Sequence, residues 1–516
     1  MDYIYNIINN EVHIKEYIGK RKKVYIPETI DGFKVSKVCT MSFFCNDNII
    51  EIHFPKKIEI ENNAIINCSN LKKIFIEEKS IFSKFIEDCE NISIFCANHT
   101  IYNKIKKTYK NSLNCLLDYV FEYKFLRNLG GYEITKFKES PNNKNVIIPN
   151  TFNGKKIVRL SNSLFVDKKI ESLTFNEYIT TIPYSCFMNC KNLKKIKNLK
   201  NIKYIDVGAF QNTPLLKIDW KKFESLEMID NYAFFFSGIK DFYLDHKFSL
   251  GTSVFSHSKI EKANLKNLID LSIPDATFQK CQELTKVYLN KDILNINRKA
   301  FENCINLNYI NISNIEKLEN KCFFNCKKLK LKIHNKIKRI GIDSLYKVTI
   351  QENLTLKRSV EIGEASFAGT NGLKTLIIDN INILPIDCFR ESSVKEVLIK
   401  GKLEKIDFKC FFDSKLETIN LENVNNIRSN AFSYTNIQEI KLTCSYLDFG
   451  AFSYCKKLKK ANLEESTIEI LPISLFNGCK NLSNVIFPKK LKKIRKYSLD
   501  DTKVILSPKY KKMEDK

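Results

Sequence analysis

The sequence predicts a tandem-repeat solenoid, with a parallel β-sheet along one face and short strands and helical turns on the other. Three observations predict it. A phenylalanine returns at a near-constant pitch of about 22 residues, each return is followed by the same apolar spacing, and one opening motif occurs twice. At 516 residues the chain is longer than a single core supports, so several domains or a repeat array are expected.

The repeat is plainest from Ala300, in AFENCINLNYINIS, and the same frame returns in AFSYCKKLKKANLEES at 451, LFNGCKNLSNVIFP at 475 and CFMNCKNLKKIKN at 186. A shorter variant without the cysteine occurs as AFSYTNIQEIKL at 431 and CFRESSVKEVLI at 388. The anchors are Phe165, Phe187, Phe210, Phe234, Phe255, Phe278, Phe301, Phe323, Leu345, Phe367, Phe389, Phe411, Phe432, Phe452, Phe476 and Leu499, separated by 20 to 24 residues. In L-x-x-I-x-[L/I] the last two apolar positions alternate as one face of a strand does, so the residue between them points outwards. One rung has too few apolar groups for a core. Stacked rungs bury phenylalanine on phenylalanine, and stability then comes from the interfaces between neighbours.

Most of the seventeen cysteines have addresses in this frame. Cys190, Cys281, Cys304, Cys326, Cys455 and Cys479 follow the anchor by three positions. Cys186, Cys322, Cys388 and Cys410 precede it, where other rungs carry Ala209, Ala233, Ala300, Ala431 and Ala451. A column shared with alanine is small and buried, and a thiol there acts as a compact hydrophobe. The Cys186/Cys190 and Cys322/Cys326 pairs follow from the two columns, and no second Cys/His pair at ligand spacing accompanies them. No metal or cofactor is expected.

The opening motif IPETIDGFKVSKVCTMSF at 26–43 returns as IPNTFNGKKIVRLSNSLF at 148–165. Ile26, Pro27, Ile30, Gly32, Val35, Val38 and Phe43 correspond to Ile148, Pro149, Phe152, Gly154, Ile157, Leu160 and Phe165. Upstream, VHIKEYIGK matches YEITKFKES. The first opening leads into three rungs anchored at Phe43, Ile65 and Ile86, after which ISIFCANHTIYNKIKKTYKN breaks the period and predicts a short strand and an amphipathic helix as a cap. The domains read from this are a short module over 1–118, a long module of sixteen rungs over 119–510 starting near Asp118, and a charged tail over 511–516 that is expected to fray.

Composition excludes some classes. With 44% hydrophobic and 28% charged residues the chain is not wholly disordered. No run of 18 apolar residues is present to span a bilayer, and MDYIYNIINNEVHIKEYIGK has no basic stretch leading into an apolar one, as a Sec signal peptide has. The formal charge of +26 invites nucleic-acid or anionic-surface binding. The excess is nearly all lysine spread along the length, however, and arginine, the bidentate reader of phosphate, is scarce. His13, His53, His99, His246, His257 and His334 form no HExxH or HxH pattern, and no GxSxG, GxxxxGK[ST] or GxGxxG occurs. No enzymatic activity is expected.

The rung A-F-x-x-C-x-x-L-x-x-I-x-[L/I]-P, with the motif I-P-x-x-[I/F]-x-G-x-x-[V/I], resembles the BspA-like leucine-rich-repeat family over nearly the whole chain. The resemblance implies a leucine-rich-repeat solenoid. Members are generally taken to be surface or secreted proteins that adhere to host matrix proteins or other cells. Glycine is rarer here than in that family's turns, with Asn and Lys in its place, and Asn tolerates left-handed positions. The family resemblance favours the cell surface or secretion. The unpaired cysteines and the absent signal peptide favour the cytoplasm.

What remains for function is the outward strand row. It changes freely from rung to rung, through Thr174, Asp219, Tyr243, Asn264, Tyr288, Asn311, Asn420 and Lys441, beside Lys195, Lys217, Asp241, Lys262, Lys286 and Tyr309. Tyrosine is favoured at recognition surfaces. A patch of Tyr243, Tyr288, Tyr309, Lys262, Lys286 and Asn311 is therefore the expected centre of a protein-binding face, the partner being a host-matrix, cell-surface or intracellular protein. The alternatives are a nucleic-acid or anionic-surface binder and an intracellular scaffold.

Overall fold

A rung that cannot bury its own apolar face closes its core against the next rung, and the chain does this throughout. The computed structural model describes all residues except 1, 78–79, 91, 97–98, 110–113, 117–119, 139–143, 153–154, 215 and 516. The chain forms two compact units, Met1–Ile179 and Thr180–Lys516. The boundary expected at 118/119, with Asp118 and Gly154 of the second opening motif, lies outside the described residues.

In the first unit an antiparallel hairpin of Tyr3–Ile8 and Glu11–Tyr17 turns through Asn9 and Asn10, both left-handed, as a two-residue hairpin of the right twist requires. Its second strand pairs in parallel with Phe33–Val38, which pairs with Glu59–Ile60 and through it with Ile81–Phe82. A second sheet runs Lys23–Tyr25, Glu51–His53, Lys73–Ile76, Ser93–Cys96 and Asn114–Leu116. A third runs through the anchors Phe43, Ile65 and Ile86. The strand and helix expected after these rungs are Ser93–Cys96 and His99–Tyr109. Ile101, Ile105 and Tyr109 are buried, and the Tyr109 hydroxyl accepts the N–H groups of Phe85 and Ile86 at 2.7 and 2.9 Å.

The duplicated opening folds as its first copy does. Val120–Leu126 and Gly131–Lys138 form the hairpin, and the latter pairs in parallel with Lys155–Leu160. Tyr17 covers the Phe43 ring in the first copy, at a centroid distance of 5.6 Å, and its counterpart Phe137 covers Phe165 at 4.8 Å.

In the second unit the anchor rings stack nearly parallel. Phe187–Phe210 and Phe210–Phe234 are 5.2 Å apart, Phe278–Phe301 5.3 Å and Phe411–Phe432 5.4 Å. Each anchor N–H donates to the carbonyl just before the next anchor, as from Phe187 to Ala209 and from Phe301 to Cys322, both at 2.8 Å. That carbonyl lies against the ring column, and the residue carrying it is most often Ala, Cys or Ser, with Val254 and Leu475 as larger exceptions. Cys281, Cys304, Cys326, Cys455 and Cys479 are fully buried thiols that donate to the carbonyls of Phe255, Phe278, Phe301, Phe432 and Phe452 at 2.9 to 3.1 Å. Thr213, Thr370 and Thr435 occupy the same column and bond their own anchor's carbonyl. The column takes a small buried side chain, including Val348, which has no donor.

Among the described residues of this unit helix is confined to Trp220–Lys222 and Pro508–Lys511. The helical turns expected opposite the sheet are instead tight turns with a left-handed residue two positions before and two after the anchor. Lys299 and Asn303 flank Phe301 at φ 59° and 60°, and Tyr434 follows Phe432 at φ 63°. A side chain there costs about 1–2 kcal/mol. The N–H groups of Lys299 and Asn303 offset this strain by donating to Asn320 and Phe324 of the next rung at 3.0 and 2.8 Å.

The described residues of the tail fold back onto the last rung. The Ile494 N–H donates to Met513, the Asp515 N–H to Ile494, both at 2.8 Å, and Asp515 pairs with Lys493 at 2.6 Å. Tyr510 packs on Phe487 at 4.4 Å. The last rung's backbone and apolar surface need cover, and these residues supply it.

Two outcomes follow. Phe301→Ala leaves a gap between two stacked rings and costs about 3–5 kcal/mol, whereas Phe301→Leu costs much less, since Leu345 occupies the same column. Denaturant unfolding followed by circular dichroism measures both, and equal losses would remove the stack from the account. A maleimide labels exposed Cys45 within minutes. It reaches Cys281, whose thiol burial pushes up to about 12, only on unfolding. Rapid labelling of the ladder in native protein would mean that the rungs are not closed.

Candidate binding face

Inward alternation leaves the other strand positions to solvent, and register sets which of them meet. Asp241–Tyr243, Lys262–Leu265, Lys286–Leu289 and Tyr309–Ile310 form one parallel sheet in the second unit. One row across it reads Asp241, Lys262, Lys286, Tyr309, and another reads Tyr243, Asn264, Tyr288. Phe242, Ala263, Val287 and Ile310 lie between the rows and are buried.

The register brings Tyr288 and Tyr309 together, with ring centroids 5.5 Å apart and planes at 48°. Tyr309 is 46% exposed, and the Lys266 ammonium lies 5.9 Å from the Tyr288 ring. Lys262 and Lys286 are exposed in the adjoining row, next to each other. Tyr243 stands two strands from Tyr288, with Asn264 between them. Asn311 has a different task. Its amide accepts the Leu289 N–H at 2.9 Å and donates to the Leu289 carbonyl at 3.2 Å. Asn420 clips Ile399 in the same way, at 2.7 and 2.9 Å. In both places the side chain continues the ladder where the strand itself ends.

Further along this unit a depression of about 580 Å³ opens on the strand face. Leu398, Asn420, Lys441, Asn462 and Ile486 lie along it. It sits where strand pairing lapses between Thr418–Ile419 and Glu439–Lys441, leaving a single bridge from Leu421 to Leu442. This gap leaves no sign in the sequence, since the anchors on either side of it, Phe411 and Phe432, are an ordinary 21 residues apart, and the strands beyond it pair in register.

In the first unit Tyr25, His53, Phe75 and Phe95 share one row. Their rings stack at 4.2, 4.1 and 4.5 Å, within 15° of parallel. The His53 Nε2 meets the Glu51 carboxylate at 2.6 Å, and Glu51 pairs with Lys23. Sequence reading missed this stack because two of the three rungs around it are anchored by isoleucine, Ile65 and Ile86, so the register linking the four rings was hidden.

Some lysines pair between rungs: Lys203 with Glu227, Lys240 with Glu261, Lys338 with Glu316, Lys374 with Glu352 and Lys492 with Glu469, each about one rung apart. Exposed pairs of this kind add little stability. Among the described residues no three His, Cys, Asp or Glu side chains are placed to hold a metal ion, and no helix is long and apolar enough to cross a membrane.

The family model for the BspA type leucine rich repeat region matches residues 158–272, 271–393 and 382–505. The chain belongs to that family. Its repeats and fold are of a kind that is typically protein-binding and non-enzymatic. Among solved structures it is similar to a leucine-rich repeat protein from Bacteroides ovatus, at 20% identity over 73% of this chain and 95% of that one, with a TM-score of 0.54. It also matches one from Eubacterium ventriosum, at 16% identity over 75% and 89%, TM-score 0.30. A leucine rich cell surface protein from Faecalibacterium prausnitzii matches at 17% over 95% and 93%, TM-score 0.18. No curated protein matches the chain.

Proposed function

We propose that this repeat protein is a non-catalytic adhesion module that binds a protein partner on the parallel-strand face of its second unit. The patch of Tyr243, Tyr288, Tyr309, Lys262 and Lys286 is its centre, and Asn311 holds the strand edge beneath it. The observation that carries this reading is the pairing of Tyr288 with Tyr309 on an exposed sheet whose inward residues are fully committed to the core. Fold maintenance needs only the inward positions. Two adjacent tyrosines offer a large, rigid contact area at low entropic cost and are typical anchors of a binding hot spot. The surrounding lysines supply orientation and favour a partner with an acidic rim.

The test places a photo-crosslinking amino acid at Asn264, between the tyrosine rows, and exposes the protein to matrix proteins and intact cells. A protein adduct that disappears in the Tyr288→Ala/Tyr309→Ala double variant is expected, with affinity for the captured protein falling at least about tenfold, or ~1.4 kcal/mol. Undiminished affinity in that variant would dismiss the patch. Salt separates the alternative. Binding that drops by three orders of magnitude between about 50 and 200 mM salt would mark a nucleic acid, while a protein partner loses far less.

A further inference from the structure

We propose that the outer edge of the strand Lys23–Tyr25 is a strand-addition site for an extended acidic segment of another protein, which seats an aromatic ring on Tyr25. This surface belongs to the first unit and is independent of the tyrosine patch above.

The edge is open by construction. Among the described residues Lys23–Tyr25 pairs only with Glu51–His53, and it ends its five-stranded sheet. The opening hairpin extends the neighbouring sheet by two strands beyond Phe33–Val38 and adds none to this one. The Glu51 N–H donates to Lys22 at 3.1 Å and the Ile26 N–H donates to His53 at 3.0 Å, so residues 22, 24 and 26 face the inner strand. The alternation of a parallel ladder then turns the peptide groups of Lys23 and Tyr25 outwards. The Tyr25 carbonyl meets the Tyr3 hydroxyl at 3.3 Å. The Lys23 N–H and C=O and the Tyr25 N–H remain to be matched by an incoming strand, the recognition mode in which main-chain bonds give affinity and alternate side chains give specificity.

The side chains at this edge state what should come. Tyr25 is 62% exposed and stacks on His53 with one ring face, leaving the other towards the empty strand position. A ring carried in register by an added strand extends the stack by one step. Lys20, Arg21, Lys22 and Lys23 are consecutive and all exposed. Arg21 pairs with Asp2 at 3.3 Å and Lys23 with Glu51 at 3.2 Å, while no ion pair engages Lys20 or Lys22 among the described residues. The local excess is therefore positive, and an acidic segment complements it.

The duplicated opening is an internal control. Its equivalent strand, Asn145–Ile147, also ends a sheet and pairs with Ser172–Thr174. Among the described residues of that copy, Lys144, Asn145 and Ile147 stand where the first copy has Lys22, Lys23 and Tyr25. The equivalent strand thus forms without the Lys23 charge or the ring. A peptide is favoured over a single-stranded nucleic acid because His53 and Phe75 have both ring faces covered, so one free face remains where base stacking along a strand uses several.

A fluorescein-labelled peptide of three glutamates followed by Val-Trp-Thr, running parallel, sets glutamate opposite Lys23 and tryptophan opposite Tyr25. With the full chain we expect saturable binding by fluorescence polarisation. Tyr25→Ala and the Lys20→Glu/Lys22→Glu pair should each weaken it at least about tenfold. Both alter exposed side chains, and unchanged circular dichroism confirms folding. The same peptide N-methylated at the amides that face the edge should not bind, which separates strand addition from charge attraction alone. Absence of binding would overturn the proposal and leave the lysines as guards of an open edge. Equal binding by the N-methylated peptide, or tighter binding by a single-stranded oligonucleotide of equal charge, would overturn it too.

Discussion

Each rung of the second unit is held by one repeated contact. The anchor's N–H donates to the carbonyl before the next anchor, and the two rings lie flat on each other about 5 Å apart. A rung removed from its neighbours keeps neither bond nor stack, so the interface between rungs is the unit of stability. The frequent small residue before the anchor, the compact buried side chain three positions after it and the pitch of 20 to 24 residues all follow from keeping that contact. The same constraint requires covered ends. Hairpins, the helix His99–Tyr109 and the folded-back Met513–Asp515 segment each cover an exposed rung.

The turns show how far a repeated contact can override local preference. Lysine, tyrosine, alanine and glutamate occupy left-handed positions in rung after rung, as at Lys280, Tyr232, Ala276 and Glu391. Their strain is distributed along the array and opposed by a backbone bond at each site. Asparagine is common there, consistent with its tolerance of this conformation, but the fold does not depend on it. Because glycine is not needed, turn side chains are free to vary, and the turn edges of the solenoid become additional surface.

Separation of structural columns from outward rows is what makes such a scaffold suited to recognition. Tyr243, Lys262 and Tyr288 lie outside the buried ladder, so these rows are free to vary without disturbing it. The two proposed surfaces use this freedom differently. The patch on the second unit offers side chains from the middle of a sheet, whereas the Lys23–Tyr25 edge offers backbone as well.

Much of the architecture was legible in the sequence, because a solenoid repeats its core requirements in one dimension. The phenylalanine pitch, the Ala/Cys column, the doubled opening motif and the outward position of Tyr288 and Tyr309 all follow from period and alternation. Contacts that depend on register between rungs were not legible. That Asn311 clips Leu289, that Tyr25, His53, Phe75 and Phe95 form one stack, and that the described residues of the tail fold back onto the last rung required the tertiary structure. Sequence spacing determines which face a residue takes, since that is set by the local backbone period. Which neighbour it meets depends on how unequal loops bring successive strands into register, and only the folded array decides that.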